Sequence, residues 1–491
     1  MDITANDVFG VFAASGELVK DIELFKERRW VKWANLGVDV MSLQLALWLG
    51  FFFRHSVLGI WWPLDMDWYK YIELMLAMLL VPCGYWLLGL YPGYGLTGVE
   101  RLRRHVRATV VFLMLFICWD YVVYHVSSSR GVILSAFVFA VLIPPIMQSL
   151  FRTFLIRMEC WGTPVVVLGA ARTGHYAVQS LLRDPTIGFH PVMFFDDYPQ
   201  KAGMKLDGIP VVHGLLRANE FADTVRYALL AIPGGGIDLQ LEILRKLRFQ
   251  HVIIIPNLIG LQSLWVQARD LGGIIGLELQ KNLLIRRNRR FKQFMDYALG
   301  IPLFLLSVPL LAVLAALIMI VSPGNPFYCQ VREGGAGKNF RVWKLRTMYP
   351  KADRLLHAYL EANPDAKQEW STHFKLKNDP RILSGVGNFL RKTSLDELPQ
   401  LWNVLRGEMS LVGPRPFPHY HLEQFVDSFR KLRRSVKPGI TGQWQVSARS
   451  DGDLAVQENL DTYYIRNWSV WLDLSLLGRT VLVVLNGKGA Y

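Results

Sequence analysis

FMDYALGIPLFLLSVPLLAVLAALIMIV, residues 294–321, is apolar and long enough to cross a bilayer, which takes about 20 residues. Its flanks argue against a crossing. Lys281, Arg286, Arg287, Arg289, Arg290 and Lys292 precede it, and Lys338, Arg341, Lys344 and Arg346 follow it. Positively charged flanks stay on the cytoplasmic side of a membrane, so a span cannot satisfy both ends. Pro309 sits near the middle, where it removes a backbone donor and crowds the preceding turn. Ser307 can bond a carbonyl freed by that break. The reading is a re-entrant membrane segment that enters and leaves on one side, broken near Ser307 and Pro309.

Working outward, four earlier segments are also apolar enough to span, at about 34–53, 71–91, 106–126 and 131–151. Lys and Arg crowd the stretch before the first, the loop between the second and third, and the stretch after the fourth: Lys26, Arg28, Arg29 and Lys32; Arg101, Arg103, Arg104 and Arg107; Arg152 and Arg157. The bias places the N-terminus and everything after residue 152 in the cytoplasm. A hydrophobic fraction of 52% and a mean hydropathy of +0.23 suit a membrane protein. The net charge of +14 suits anionic head groups and anionic substrates. Zinc-finger spacing and a basic heptad region are absent, so nucleic acid is not the expected partner. The four cysteines, Cys83, Cys118, Cys160 and Cys329, are scattered and form no Cys-x-x-Cys pair. The charged N-terminus does not read as a cleaved signal peptide.

Between the spans and the re-entrant segment, strand and helix patterns alternate. Pro164–Gly169, Val192–Phe195, Tyr227–Ile232 and His251–Ile255 read as strands of a parallel sheet. Gly169-Ala170-Ala171-Arg172-Thr173-Gly174 partly matches a dinucleotide fingerprint, with Asp196 placed for a ribose. Ala171 stands where the middle glycine would let the backbone approach pyrophosphate. A structural or regulatory role and a cofactor site both remain open for this Rossmann-like region. The expected organisation is a transmembrane domain over 1–160, a Rossmann-like α/β domain over 161–280, and a mainly helical catalytic domain over 281–491.

The last region holds Arg391-Lys392-Thr393-Ser394-Leu395-Asp396-Glu397-Leu398-Pro399. Ser394 followed by Glu397 has the spacing of a capping box, and Leu398, Leu401, Trp402 and Leu405 follow at helical spacing. The functional reading starts from the cations around the pair: Lys375, Lys377, Arg381, Arg391, Lys392, Arg406 and Arg415. Carboxylates held among cations stay ionised and can bind a metal, and the cations suit phosphate. Arg391 and Arg415 are the leading phosphate binders, because guanidinium grips two oxygens at once. Lys344 and Arg346 are further candidates, although a basic pair beside a membrane segment more often meets lipid head groups. Two other motifs carry less. Gly334–Asn339 imitates the end of a phosphate loop but has Arg332 for the first glycine and Asn339 for the magnesium-touching hydroxyl, so it reads as a turn between strands. His419-Tyr420-His421 has no zinc spacing and reads as a surface feature.

Five stretches together resemble the bacterial sugar transferases, the monotopic phosphoglycosyl transferases: Lys344–Met348, Lys377–Arg381, Arg391–Gln400, Gly407–Pro416 and Lys437–Val446. The resemblance covers about 281–491. The preceding spans and Rossmann-like domain resemble the large members, notably those that transfer galactose 1-phosphate. The family implies movement of a sugar 1-phosphate from a UDP-sugar to undecaprenyl phosphate, releasing UMP. It implies Asp396 as the nucleophile that carries a covalent phosphosugar, Glu397 as its partner, and a requirement for Mg2+ at the pair. Glu397 could act as base, metal contact or orienting group. The resemblance also implies lipid contact, placement in the bacterial inner membrane with the catalytic domain on the cytoplasmic side, and room for a homodimer. Glucose is the alternative sugar. Smaller members place Ser directly before Pro in the re-entrant helix, whereas Val308 intervenes here. A membrane-tethered nucleotide-sugar oxidoreductase and a transporter are the competing classes.

Overall fold

A computed structural model describes residues 28–57, 68–124, 130–232, 236–256, 266–270, 275–279, 283, 285–350, 352–363, 376, 379–447 and 454–486. Lys375 and Lys377 of the basic surround lie outside the described residues. Contacts divide the chain into two compact units, 1–259 and 260–491.

The first unit opens with helices α1 (Arg29–Phe52), α2 (Trp68–Met78), α3 (Val81–Leu87), α4 (Gly98–Tyr124) and α5 (Arg130–Arg157). The expected second span is the exception: α2 and α3 are short, and the helix stops between them at Leu79 and Leu80. Pro82 explains the stop. It has no N–H, and its ring crowds the carbonyl four residues back, at Met78, the last residue of α2. Three segments here remain long and apolar enough to cross a membrane: Trp30–Val57, Gly98–Val122 and Gly131–Arg157. Each has an inward stripe and an outward one. Leu43, Leu47, Met78, Tyr85, Leu113 and Ala136 form the buried core, while Trp48, Leu115 and Ile146 are exposed. Helices α1 and α5 approach closely because Gly50 lacks a side chain: a Cβ there would lie 2.5 Å from the Ala136 nitrogen.

The same unit continues into an α/β sheet. Strands β1 (Thr163–Leu168), β2 (Phe189–Asp196), β3 (Lys205–Leu206), β4 (Ile209–His213), β5 (Tyr227–Leu230) and β6 (His251–Ile254) run in the order β3-β4-β2-β1-β5-β6. Every pairing is parallel except β3 with β4. Helices α6 (Arg172–Arg183) and α7 (Gly236–Lys246) connect β1 to β2 and β5 to β6. β1 is buried along its whole length, which accounts for its continuous Val-rich run.

The second unit begins with a hairpin, β7 (Val266–Asp270) and β8 (Ile275–Leu279), and then α8 (Arg286–Val321). Helix α8 is 36 residues long and contains the apolar stretch. It continues past Pro302 and Pro309 in one helical run, so Pro309 does not end the helix as the sequence suggests. The Ser307 hydroxyl donates to the Phe304 carbonyl at 2.7 Å. Leu305, Leu306, Val313 and Ile320 are exposed, whereas Leu311, Leu314 and Ile318 are buried against the rest of the unit. At its basic end α8 is fixed by charge. Lys292 bonds Asp473 at 2.7 Å, and Asp473 also accepts from Tyr464 and Trp468. Asp296 accepts from the Ser410 hydroxyl and the Leu411 N–H. Lys292 is therefore a buried structural cation rather than part of an exposed basic run.

Strands β9 (Phe327–Glu333) and β10 (Asn339–Leu345) form an antiparallel hairpin. The glycine-rich stretch is its turn, with Ala336 at φ 57°. Helix α9 (Ala352–Ala362) follows, then α10 (Val386–Thr393) and α11 (Gln400–Leu405). Short parallel strands β11 (Ser410–Val412) and β12 (Gly439–Thr441) flank α12 (Asp427–Arg434). Helices α13 (Leu454–Asn467) and α14 (Val470–Asn486) complete the described chain.

Candidate active site

Asp396 and Glu397 lie on one turn of 3-10 helix, Leu395–Glu397, between α10 and α11. The expected capping box does not form. Ser394 has left-handed backbone geometry, φ 56° and ψ 20°, closes the C-terminus of α10, and makes no side-chain capping bond. Glu397 points elsewhere. The turn is held by its apolar residues: Leu395 and Leu398 pack on Leu311, Leu314, Leu345, Leu383 and Leu390. The carboxylates are thus mounted directly over the apolar face of α8.

The hairpin and the loop after β11 bring cations to the pair. Lys344 on β10 donates from Nζ to Glu397 Oε1 at 2.7 Å, and Arg415 donates to the same oxygen at 3.3 Å. Burial alone would push the Glu397 carboxyl up, but Lys344 and Arg415 outweigh it and hold it down at about 2. Asp396 behaves differently. Burial pushes it up to about 6, and Glu397 adds repulsion, while Lys344, Arg391 and Arg415 pull it only part of the way back. The two adjacent carboxyls thus titrate far apart, Asp396 at about 6 and Glu397 at about 2, a separation that fits separate chemical roles. Asp396 has no hydrogen-bond or ion-pair partner among the described residues, so its oxygens are open to an incoming group.

Arg391 donates from Nε to the Thr347 hydroxyl at 3.1 Å and lies in the fields of Asp396 and Asp379. Arg346 is placed apart. Its guanidinium donates to the Ser322 carbonyl and closes the C-terminus of α8, so it does not join the carboxylate cluster. Ser307 and Pro309 lie within α8. His421 stacks on Phe417 with ring centroids 4.3 Å apart, so it is packed rather than a surface feature, while His419 is exposed beside Glu333.

A cleft beside the pair is lined by Arg332, Lys344, Glu397, Gln400, Arg415 and Gln445. Sequence reasoning missed Arg332, Gln400 and Gln445. Arg332 was visible only as the residue that spoils a phosphate-loop match. No cluster of three or more metal-ligating side chains occurs among the described residues. A carboxylate pair beside a phosphate-sized, cation-lined cleft still fits Mg2+, which commonly takes one or two carboxylates and completes its shell with water and substrate phosphate.

The dinucleotide fingerprint in the first unit is differently occupied. Asp196 Oδ2 accepts from the Ala170 N–H at 2.8 Å and from Lys201 at 3.2 Å, and its Oδ1 accepts from the Tyr198 N–H. The carboxylate expected at a ribose instead holds the β1 loop. Gly174 is required by packing, since a Cβ there would meet the Gly169 carbonyl at 2.0 Å.

Residues 287–487 match the model of the bacterial sugar transferase family. The chain is 34% identical over 409 residues to the undecaprenyl-phosphate galactose phosphotransferase of Salmonella typhimurium, covering 80% of this chain and 82% of that protein. It is 33% identical over 373 residues to the UDP-galactose-lipid carrier transferase of Erwinia amylovora, covering 74% and 76%. It is 32% identical over 343 residues to the UDP-glucose:undecaprenyl-phosphate glucose-1-phosphate transferase of Escherichia coli, covering 67% and 68%.

Proposed function

The chain belongs to the bacterial sugar transferase family, and from that premise we propose that it moves galactose 1-phosphate from UDP-galactose to undecaprenyl phosphate and releases UMP. The observation that carries the chemistry is the split carboxylate pair: an open Asp396 beside a Glu397 locked by Lys344 and Arg415. Galactose is favoured because the two relatives with the longer matched stretches are named for it.

The reaction runs as two displacements. The Asp396 carboxylate attacks the sugar-bearing phosphorus of the UDP-sugar. A carboxylate O–P bond forms, the diphosphate P–O bond breaks, and UMP leaves with the electron pair. A phosphate oxygen of undecaprenyl phosphate then attacks the same phosphorus, and the Asp396 carboxylate departs. One site serves both phosphates in turn, which avoids holding two polyanions against each other. Arg415 and Lys344 neutralise phosphate charge from the Glu397 side, and Arg391 from the α10 side. Glu397 orients those cations. Asp396 and Glu397 would also hold Mg2+, which supplies further neutralisation of diphosphate charge when bound.

Helix α8 buries Leu311 and Leu314 under the catalytic turn and exposes Leu305, Leu306, Val313 and Ile320 elsewhere, an apolar surface that suits contact with lipid close to the site. The site would face the cytoplasm of a bacterial inner membrane, where UDP-sugars are soluble. A re-entrant course for α8, which needs a bend at Pro302 or Pro309 within the helical run, belongs to this reading and is supported by basic residues at both ends. Purified protein supplied with Mg2+, undecaprenyl phosphate and a panel of UDP-sugars tests the proposal. UMP release with UDP-galactose well above UDP-glucose is expected. Preference for UDP-glucose would overturn the sugar assignment, and no release with any donor would overturn the reaction.

A further inference from the structure

Three helices of the first unit each contribute a polar pair spaced by one helical turn, all near their basic ends. These are Asn35 and Asp39 on α1, Arg101 and His105 on α4, and Gln148 and Arg152 on α5. Residues four apart share a helix face, so each pair points one way. Asn35, Asp39, Arg101, His105 and Gln148 are all at least nine-tenths buried, and Arg152 is half-buried. Ionisable groups inside a membrane bundle are expensive to place and need a reason to be there.

The layer is short of acceptors. Arg101 Nε and Nη1, Arg152 Nε and Asn35 Nδ2 are four buried donors with no hydrogen-bond partner, against Asp39 Oδ1 and His105 Nδ1, the latter an acceptor in only one tautomer. Arg101 makes one bond, from Nη2 to the Gly93 carbonyl at 2.7 Å. The two guanidiniums share one aromatic ring, at 5.1 Å and 5.2 Å from the Trp161 centroid. The carboxylates whose charge reaches them are Asp184 and Asp39, and neither forms an ion pair with either arginine. Both are engaged elsewhere: Asp39 accepts from Tyr91 at 2.6 Å, and Asp184 from Thr186.

We propose that this layer binds a phosphate-type anion, with Arg101 and Arg152 as its charged ligands. A phosphate offers several acceptor oxygens on one small group, which matches several orphaned donors around two converging guanidiniums. Arg152 is partly exposed, which leaves the layer one accessible edge. The source is either a lipid head group at the basic membrane face or a free soluble phosphate. The inference stands apart from the transfer reading and uses none of its residues.

The test uses the full chain in non-ionic detergent. One arm adds micelles carrying phosphatidic acid or diacylglycerol and reads retained lipid by native mass spectrometry. The other measures equilibrium dialysis of labelled inorganic phosphate. Retention of phosphatidic acid but not diacylglycerol supports a lipid source, and phosphate binding alone supports a soluble one. Arg101→Gln and Arg152→Gln should each weaken whichever binding occurs by about tenfold or more, the effect expected when a charge-assisted bond is lost. Arg103→Gln, on the same helix but paired with Glu100 at 3.1 Å, should not. If Arg101→Gln does not fold, the partly exposed Arg152 position carries the comparison. Absence of binding by the wild type in both arms, or unchanged affinity in Arg152→Gln, would overturn the proposal and leave water as the partner of the donors.

Discussion

Lys344 Nζ lies 2.7 Å from Glu397 Oε1 and ties strand β10 to the turn that carries the carboxylates. The bond crosses 53 residues of sequence and holds Glu397 ionised. Lys344→Met should lower stability by about 1–2 kcal/mol, less than a fully buried pair because Arg415 still faces Glu397. Turnover should fall at least about tenfold while the fold persists, read by thermal melting beside UMP release. Lys344→Arg should recover part of both.

Acidity should separate the two carboxylates. In the proposed reaction Asp396 attacks as the anion, so kcat/KM should fall as pH drops through about 6, approaching tenfold per pH unit below it. Glu397 stays ionised down to about 2 and adds no second break in that range. A profile flat from pH 7.5 to 5 would contradict the assignment.

The same shift predicts a stability gain. The folded Asp396 carboxyl holds its proton more tightly than the unfolded one, whose ordinary value is 3.8. Its contribution is therefore full at low pH and is lost as pH rises to about 6. Asp396→Asn should melt higher than wild type at pH 7.5, by about 1–3 kcal/mol, and lose that advantage near pH 4. Activity should be abolished at both.

Ser394 separates a strained turn from a helix cap. A capping serine changed to Ala costs about 1 kcal/mol and tolerates Gly with a small loss. A serine at φ 56° should instead gain from Gly and lose more with Val. Melting temperatures in the order Ser394→Gly, wild type, Ser394→Val check this.

The buried Lys292–Asp473 pair should respond asymmetrically. Asp473→Ala strands the buried Lys292 and removes one acceptor each from Tyr464 and Trp468, a loss of about 3–5 kcal/mol. Combining Lys292→Met with Asp473→Leu should recover part of that loss in denaturant melts.

The members of the candidate site were more legible in the sequence than the geometry around them. Asp396, Glu397, Lys344, Arg391 and Arg415 come together as expected, because long ordered motifs mark them. Arg346 sits two residues from Lys344 on an extended chain and reads the same way, but the open carbonyls at the end of α8 claim it. Nothing local in the sequence reports them. Pro82 was readable as a breaker, yet it was hidden inside a run whose mean apolarity passes for a span. The Lys292–Asp473 pair is invisible to local reading because 181 residues separate its partners. Asp196 follows its strand as a ribose ligand would, but the Ala170 N–H and Lys201 occupy it.

The central claim is that Asp396 carries the sugar phosphate. Protein is mixed with UDP-galactose labelled in the sugar, without undecaprenyl phosphate, quenched within a single turnover and mapped by peptide mass spectrometry. The account predicts phosphohexose on Asp396, UMP released in equal amount, and loss of the label when undecaprenyl phosphate is added. UMP release at the wild-type rate by Asp396→Asn, or label on any other residue, would contradict it.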